Sequence, residues 1–166
     1  MLRLERAAKK NADQRSKYPD DPSKFIDSEA DLDGALKGLL PLAQAPIVAY
    51  PVLVGATEQL EMLVGLLSHE NADIALDVVE VIHELTDEDV GDEGDEDEEG
   101  ATEEREKALK SLVNALVCSA VPRRLSIPLT NMQLDHSILE LLVSNMSRFD
   151  EKEEADRQGI YNILGM

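Results

Sequence analysis

The apolar residues of this chain recur three and four positions apart, the period of a helix with one buried face. In EQLEMLVGLL (58–67) the set is Leu60, Leu63, Val64 and Leu67; in ADIALDVVEVIHEL (72–85) it is Ile74, Val78, Val81, Ile82 and Leu85. The same spacing predicts burial of Leu109, Leu112, Val113, Leu116 and Val117 in EEREKALKSLVNALV, and of Ile138, Leu141, Leu142 and Phe149 in HSILELLVSNMSRF. Ahead of these, residues 2–17 predict a charged helix stopped by Pro19, because the residue before a proline avoids the α region. Pro22 suits the first turn of a short helix, and Ser28 or Asp31 can cap another that carries Leu32, Leu36, Leu39 and Leu40. Pro41, Pro46 and Pro51 divide the next stretch into short pieces. Thr57 can cap the helix that follows, and Asn71 or Asp73 the one after the break SHENAD. No apolar run of period two is present, so the pattern predicts an all-α chain.

The order of the pieces repeats. A short, a medium and a longer helix (47–55, 58–67, 73–86) are followed by a second series (103–118, 136–149, 152–166). Discounting an acidic stretch and a proline-containing stretch between them, the repeat length is roughly 48 residues, close to that of HEAT and armadillo arrays. The expected architecture is therefore an armadillo/HEAT-like α-solenoid in which each unit buries its aliphatic face against its neighbours. Residues 1–45 read as an N-terminal helical cap segment, 46–87 as a first repeat, 88–102 as an acidic disordered loop, and 103–166 as a second repeat. That second repeat contains a proline-bearing insertion near 119–133. The last helix reaches the final residue with no following neighbour, so a truncated array is expected. Ile160, Ile163 and Leu164 would then be exposed at an open end through which the chain self-associates.

Composition supports helix on helix: two Phe, three Tyr and no Trp leave Leu, Val, Ile and Ala to fill the interior. Charge narrows the partners. The chain carries 35 acids against 16 bases, a formal charge of −19, and ten of those acids crowd into DEDVGDEGDEDEE (87–99). Without that run the remainder is still −9. Such a field repels a phosphate backbone and draws basic proteins or peptides, so direct nucleic-acid contact is not expected. The N-terminal MLRLERAAKKNADQR has no apolar stretch of signal-peptide length, and no stretch approaches a membrane span. Cys118 is the single cysteine, so an intrachain disulfide is impossible.

Three blocks in order, KNADQRSKYPDDPSKFIDSEADLD, LVGLLSHENADIALDVVEVIHELTD and SRFDEKEEADRQGIYNIL, resemble the beta-catenin-like protein 1 family. The resemblance runs from about residue 9 to the end and covers an N-terminal part of that family's longer solenoid. It implies a non-enzymatic helical scaffold in nuclear pre-mRNA splicing complexes, with splicing-complex components as partners and no cofactor. Two features depart from the family pattern: the residues given do not include its charged leader with the import signal, and residues 119–133 stand where the family has a short helix-to-helix connection.

Several stretches invite a chemical reading. The acidic run does not fit a calcium loop: starting at Asp87 puts Asp92 where glycine is needed, and starting at Asp89 puts Gly100 where the bidentate Glu belongs. A hydrated spacer is the expectation. HENAD (69–73) and HELTD (83–87) begin like the zinc motif HExxH but end in Asp, leaving a metal-dependent hydrolase as an alternative function. Against it, HENAD straddles a helix break, Asp73 suits a cap, and His83 lies near a helix C-terminus, where the dipole favours a cation. Cys118 has no base nearby and is expected to pack as a small apolar residue; His136 precedes a helix. In armadillo arrays the third helices line a groove, and by that analogy Asp77, Glu80 and Glu84, at helical spacing, are candidate contacts for basic segments. A carrier for basic localisation peptides is a further alternative, although the absence of Trp removes the Asn/Trp ladder such carriers commonly use.

Overall fold

The computed structural model describes residues 1–88, 101–119 and 138–166, and no strand occurs among them. Eight α-helices follow one another: α1 (Leu2–Lys17), α2 (Ile26–Lys37), α3 (Pro46–Gly55), α4 (Thr57–Gly65), α5 (Ala72–Thr86), α6 (Ala101–Ser119), α7 (Ile138–Met146) and α8 (Glu154–Gly165). Short 3-10 turns at Pro22–Lys24, Leu40–Gln44 and Leu66–Ser68 join them. The acidic run from 89 and the proline-bearing stretch from 120 to 137, with His136, lie outside the described residues; α6 already begins at Ala101, two residues before the expected 103.

The helices stack by position. First helix lies on first helix (α3 on α6) and third on third (α5 on α8), while α4 leans on α6, and α7 meets α8 and the turn at 66–68. The same rule extends backwards. α1 touches α4 and α2 packs on α5, so this pair occupies the places of a second and third helix in a leading unit. The result is a row of third helices, α2–α5–α8, running through the molecule.

Aliphatic side chains fill the spaces between layers. Leu60, Leu63, Val64 and Leu67 are buried as their spacing predicts, as are Ile74, Val78, Val81, Ile82 and Leu85. Fully burying one such side chain stabilises by about 1.5–3 kcal/mol. α5 is the central helix, with α2, the turn before it and α8 around it. At the α5–α8 crossing Gly159 lets the helices approach: a Cβ there would stand 2.2 Å from Leu76 Cδ1 and 3.4 Å from Phe149.

Several local expectations are corrected. Ser28 and Asp31 do not cap α2. Ser28 is buried inside it, donating from Oγ to the Phe25 carbonyl at 2.6 Å, and Asp31 pairs with Lys10 of α1 at 2.5 Å. Thr57 is the first residue of α4 and Ala56 its cap. Pro51 does not divide the chain but sits inside α3, on the exposed side, where water can reach the carbonyl it leaves without a donor. Val113 and Val117 of α6 are exposed, because their side of the helix borders a cleft of about 410 Å3 shared with Leu139 and Leu142 of α7 and Met166. Ile160 and Ile163 pack against the core, so at the C-terminal end it is Leu164, with Leu139 and Val143 of α7, that meets solvent.

Candidate partner-binding face

The three sequence blocks that carry the family resemblance meet at one turn, residues 67–71, between α4 and α5. Asn71 caps α5, its side chain accepting from the Asp73 amide at 2.9 Å; Asp73 does not cap. His69 Nδ1 accepts from the Asn71 amide at 3.1 Å, which leaves Nε2–H to donate to Asn11 Oδ1 of α1 at 3.0 Å. Asn11, itself buried, donates to Ser28 Oγ of α2 at 3.1 Å. Arg15 pairs with Glu29 and Glu70 and stands 4.5 Å over the Phe25 ring. From the other side, Arg148 after α7 donates to the carbonyls of Leu67 at 3.3 Å, His69 at 2.6 Å and Glu70 at 3.2 Å. Buried Asn145 donates to the Leu67 carbonyl at 2.9 Å and accepts from Arg148 at 2.9 Å. The carbonyls of the turn are thus satisfied by Asn145 and Arg148 on one side, and its side chains by α1 and α2 on the other, which locks the register of both neighbours.

This arrangement decides the HExxD question for the first motif. Both His69 ring nitrogens are engaged, and burial lowers the pKa of the imidazole, so it is held neutral as a structural hydrogen-bonding group. In the second motif His83 lies half-buried beside Gly165 of α8, and Asp87 follows the helix end. No group of three or more His, Cys, Asp or Glu side chains arranged to hold a metal occurs among the described residues. Cys118, expected to pack inside, is exposed at the end of α6.

The acidic residues of α5 share a face of the third-helix row but have different surroundings. Asp77 is largely covered, its side chain 12% exposed, and lies 3.6 Å from Lys37 of α2, which also pairs with Asp33. The Asp33 and Asp77 carboxyls thus meet at one ammonium, close enough for each to act on the other. Burial, followed by that contact, pushes Asp77 up to about 7, while Lys37 holds Asp33 below the usual carboxylate range. Glu80, one turn on, is exposed. Glu84 is half-buried and acts on the phenol of Tyr50, whose pKa burial raises; Arg105 of α6 and Asp87 act there too. Of the three residues, Glu80 is the one presented outward, with Asp77 turned to α2 and Glu84 towards the α3–α6 side.

Known proteins resemble the chain along its whole length. It is 35% identical over 168 residues to human Beta-catenin-like protein 1. It is 34% identical over 169 residues to the Schizosaccharomyces pombe Beta-catenin-like protein 1 homolog, and 32% over 166 to the Rattus norvegicus protein. Each match covers 100% of this chain but 24% of the relative, so the chain spans about a quarter of the length of the relatives it matches. A family model described as "Catenin-beta-like, Arm-motif containing nuclear" matches residues 1–166. The stacked triplets are the arrangement an Arm motif requires, and the chain belongs to this catenin-beta-like, Arm-motif-containing nuclear family.

Proposed function

We propose that the chain is a non-enzymatic, protein-binding scaffold associated with pre-mRNA splicing complexes in the nucleus, and that it engages basic segments of other proteins. The observation that carries this reading is family membership over every residue, joined to a row of third helices bearing Glu80 and Glu84. The formal charge of −19 draws cationic partners to the chain, while aliphatic packing holds the shape of the row. Residues from all three blocks that bear the resemblance meet at the turn at 67–71, a structural hub, which suits a scaffold better than a reaction centre.

The test is capture from nuclear extract by the purified chain beside a Glu80→Lys/Glu84→Lys variant. Splicing-complex proteins should be enriched on the native chain, released as salt rises from about 0.1 to 0.5 M, and lost with the variant. Recovery of the same proteins by both forms, indifferent to salt, would refute an acidic docking face.

A further inference from the structure

Two carboxyl groups from consecutive third helices face one ammonium. Asp33 and Lys37 stand one turn apart on α2, and Asp77 projects from α5 into the same junction. One cation cannot fully balance two neighbouring anions in a place where Asp77 is 12% exposed, so ionising both carboxyls there is disfavoured. The groups acting on Asp77 are Asp33 and Lys37 from α2 and Glu80 from its own helix. The 3-10 turns at Leu40–Gln44 and Leu66–Ser68, also packed on α5, have no charged residue, and α6 and α8 add none to that set.

We propose that the Asp33–Lys37–Asp77 cluster is a proton-operated latch between the leading helix pair, α1–α2, and the first triplet: shut while the two carboxyls hold a proton between them, and loosened when both are ionised. The raised proton affinity of Asp77 agrees with this. An acid that holds its proton more tightly in the closed form than in the open one stabilises closure below its closed-form pKa. That stabilisation fades as pH rises from the ordinary carboxylate range to about 7 and is absent above. The latch stands independently of the proposed partner binding, since it concerns only how α2 sits on α5.

Hydrogen exchange of the α1 and α2 amides between pH 5 and 8.5, corrected for intrinsic exchange, reads the latch directly. The quantity to follow is the ratio of the opening constant of the native chain to that of Asp77→Asn, because other titrating groups, His69 among them, cancel in it. The ratio should climb with pH, approaching tenfold per unit, and flatten above about pH 7. Lys37→Met, which removes the compensating cation, should move the plateau to higher pH. Asp33→Asn supplies the same comparison as Asp77→Asn from the more exposed partner. A ratio constant across the range, or a plateau that Lys37→Met leaves in place, would overturn the proposal.

Discussion

Replacing Asn145 with alanine tests how the two triplets are joined. The side chain is 2% exposed and makes three hydrogen bonds: to the Leu67 carbonyl at 2.9 Å, to the Leu141 carbonyl at 2.9 Å, and from Arg148 at 2.9 Å. Leu141 belongs to the ladder of α7 and loses little. The Leu67 carbonyl keeps Arg148 at a poor 3.3 Å, and a buried acceptor stripped of a partner costs about 1–3 kcal/mol. Lost contacts around the missing amide bring the expected total to about 2–4 kcal/mol, a large part of the stability of a domain this size. In a chain of this length that corresponds to a fall in Tm of roughly 5–15 °C. Arg148→Ala should cost less, because its carbonyls lie near the surface, and the double variant should lose about 1 kcal/mol less than the two losses added together. Urea titration followed by circular dichroism measures all four forms, and an unchanged slope shows that the unfolding unit has kept its size. A loss below about 0.5 kcal/mol for Asn145→Ala, or strict additivity with Arg148→Ala, would refute the claim that this pair couples the triplets.

Three further outcomes follow from the same geometry. His69 is held neutral, with a pKa below its unfolded value, so its contribution is complete above about pH 6.5 and declines on acidification; in an Asp77→Asn background Tm should fall between pH 7 and 5.5, and His69→Gln should remove most of that fall. Gly159→Ala should destabilise by about 1 kcal/mol, overpacking against Leu76 outweighing the gain in helix propensity, and Leu76→Ala in the same chain should relieve it, as thermal melts will show. At the C-terminal end, Leu139→Glu with Val143→Glu should reduce self-association measured by light scattering at high concentration; equal association by both forms would mean that the exposed aliphatic surface of α7 takes no part.

The central helices were legible in the sequence because α4 and α5 bury one complete stripe each, and a stripe is a local property. Val113 and Val117 misled because period alone assigns a face without saying whether a neighbour covers it; α6 has α3 and α4 on one side and an open cleft on the other. Pro51 reads as a breaker, yet a proline on the solvent side of a helix leaves its carbonyl to water. The hub at 67–71 was hidden for a different reason. Asn11, His69 and Arg148 look like surface residues in sequence, and their partners lie 58 and 79 positions away in the pairs His69–Asn11 and Arg148–His69. Asp77 shows the same limit: its spacing places it with Glu80 and Glu84, but only the stacking of α2 on α5 turns it inward. Order in the sequence named the family; contacts between units explain what Asn11, His69 and Arg148 do in this chain.

The central claim is that exposed Glu80, with half-buried Glu84 one turn on, binds basic protein segments on the third-helix row. Fluorescence anisotropy with a labelled Lys/Arg-rich peptide, against a Ser/Gln peptide of equal length, tests it most directly. The account predicts binding of the basic peptide alone, weakened steadily by salt and reduced roughly tenfold by Glu80→Lys/Glu84→Lys. Equal affinity of the native and charge-reversed chains for the basic peptide would contradict it.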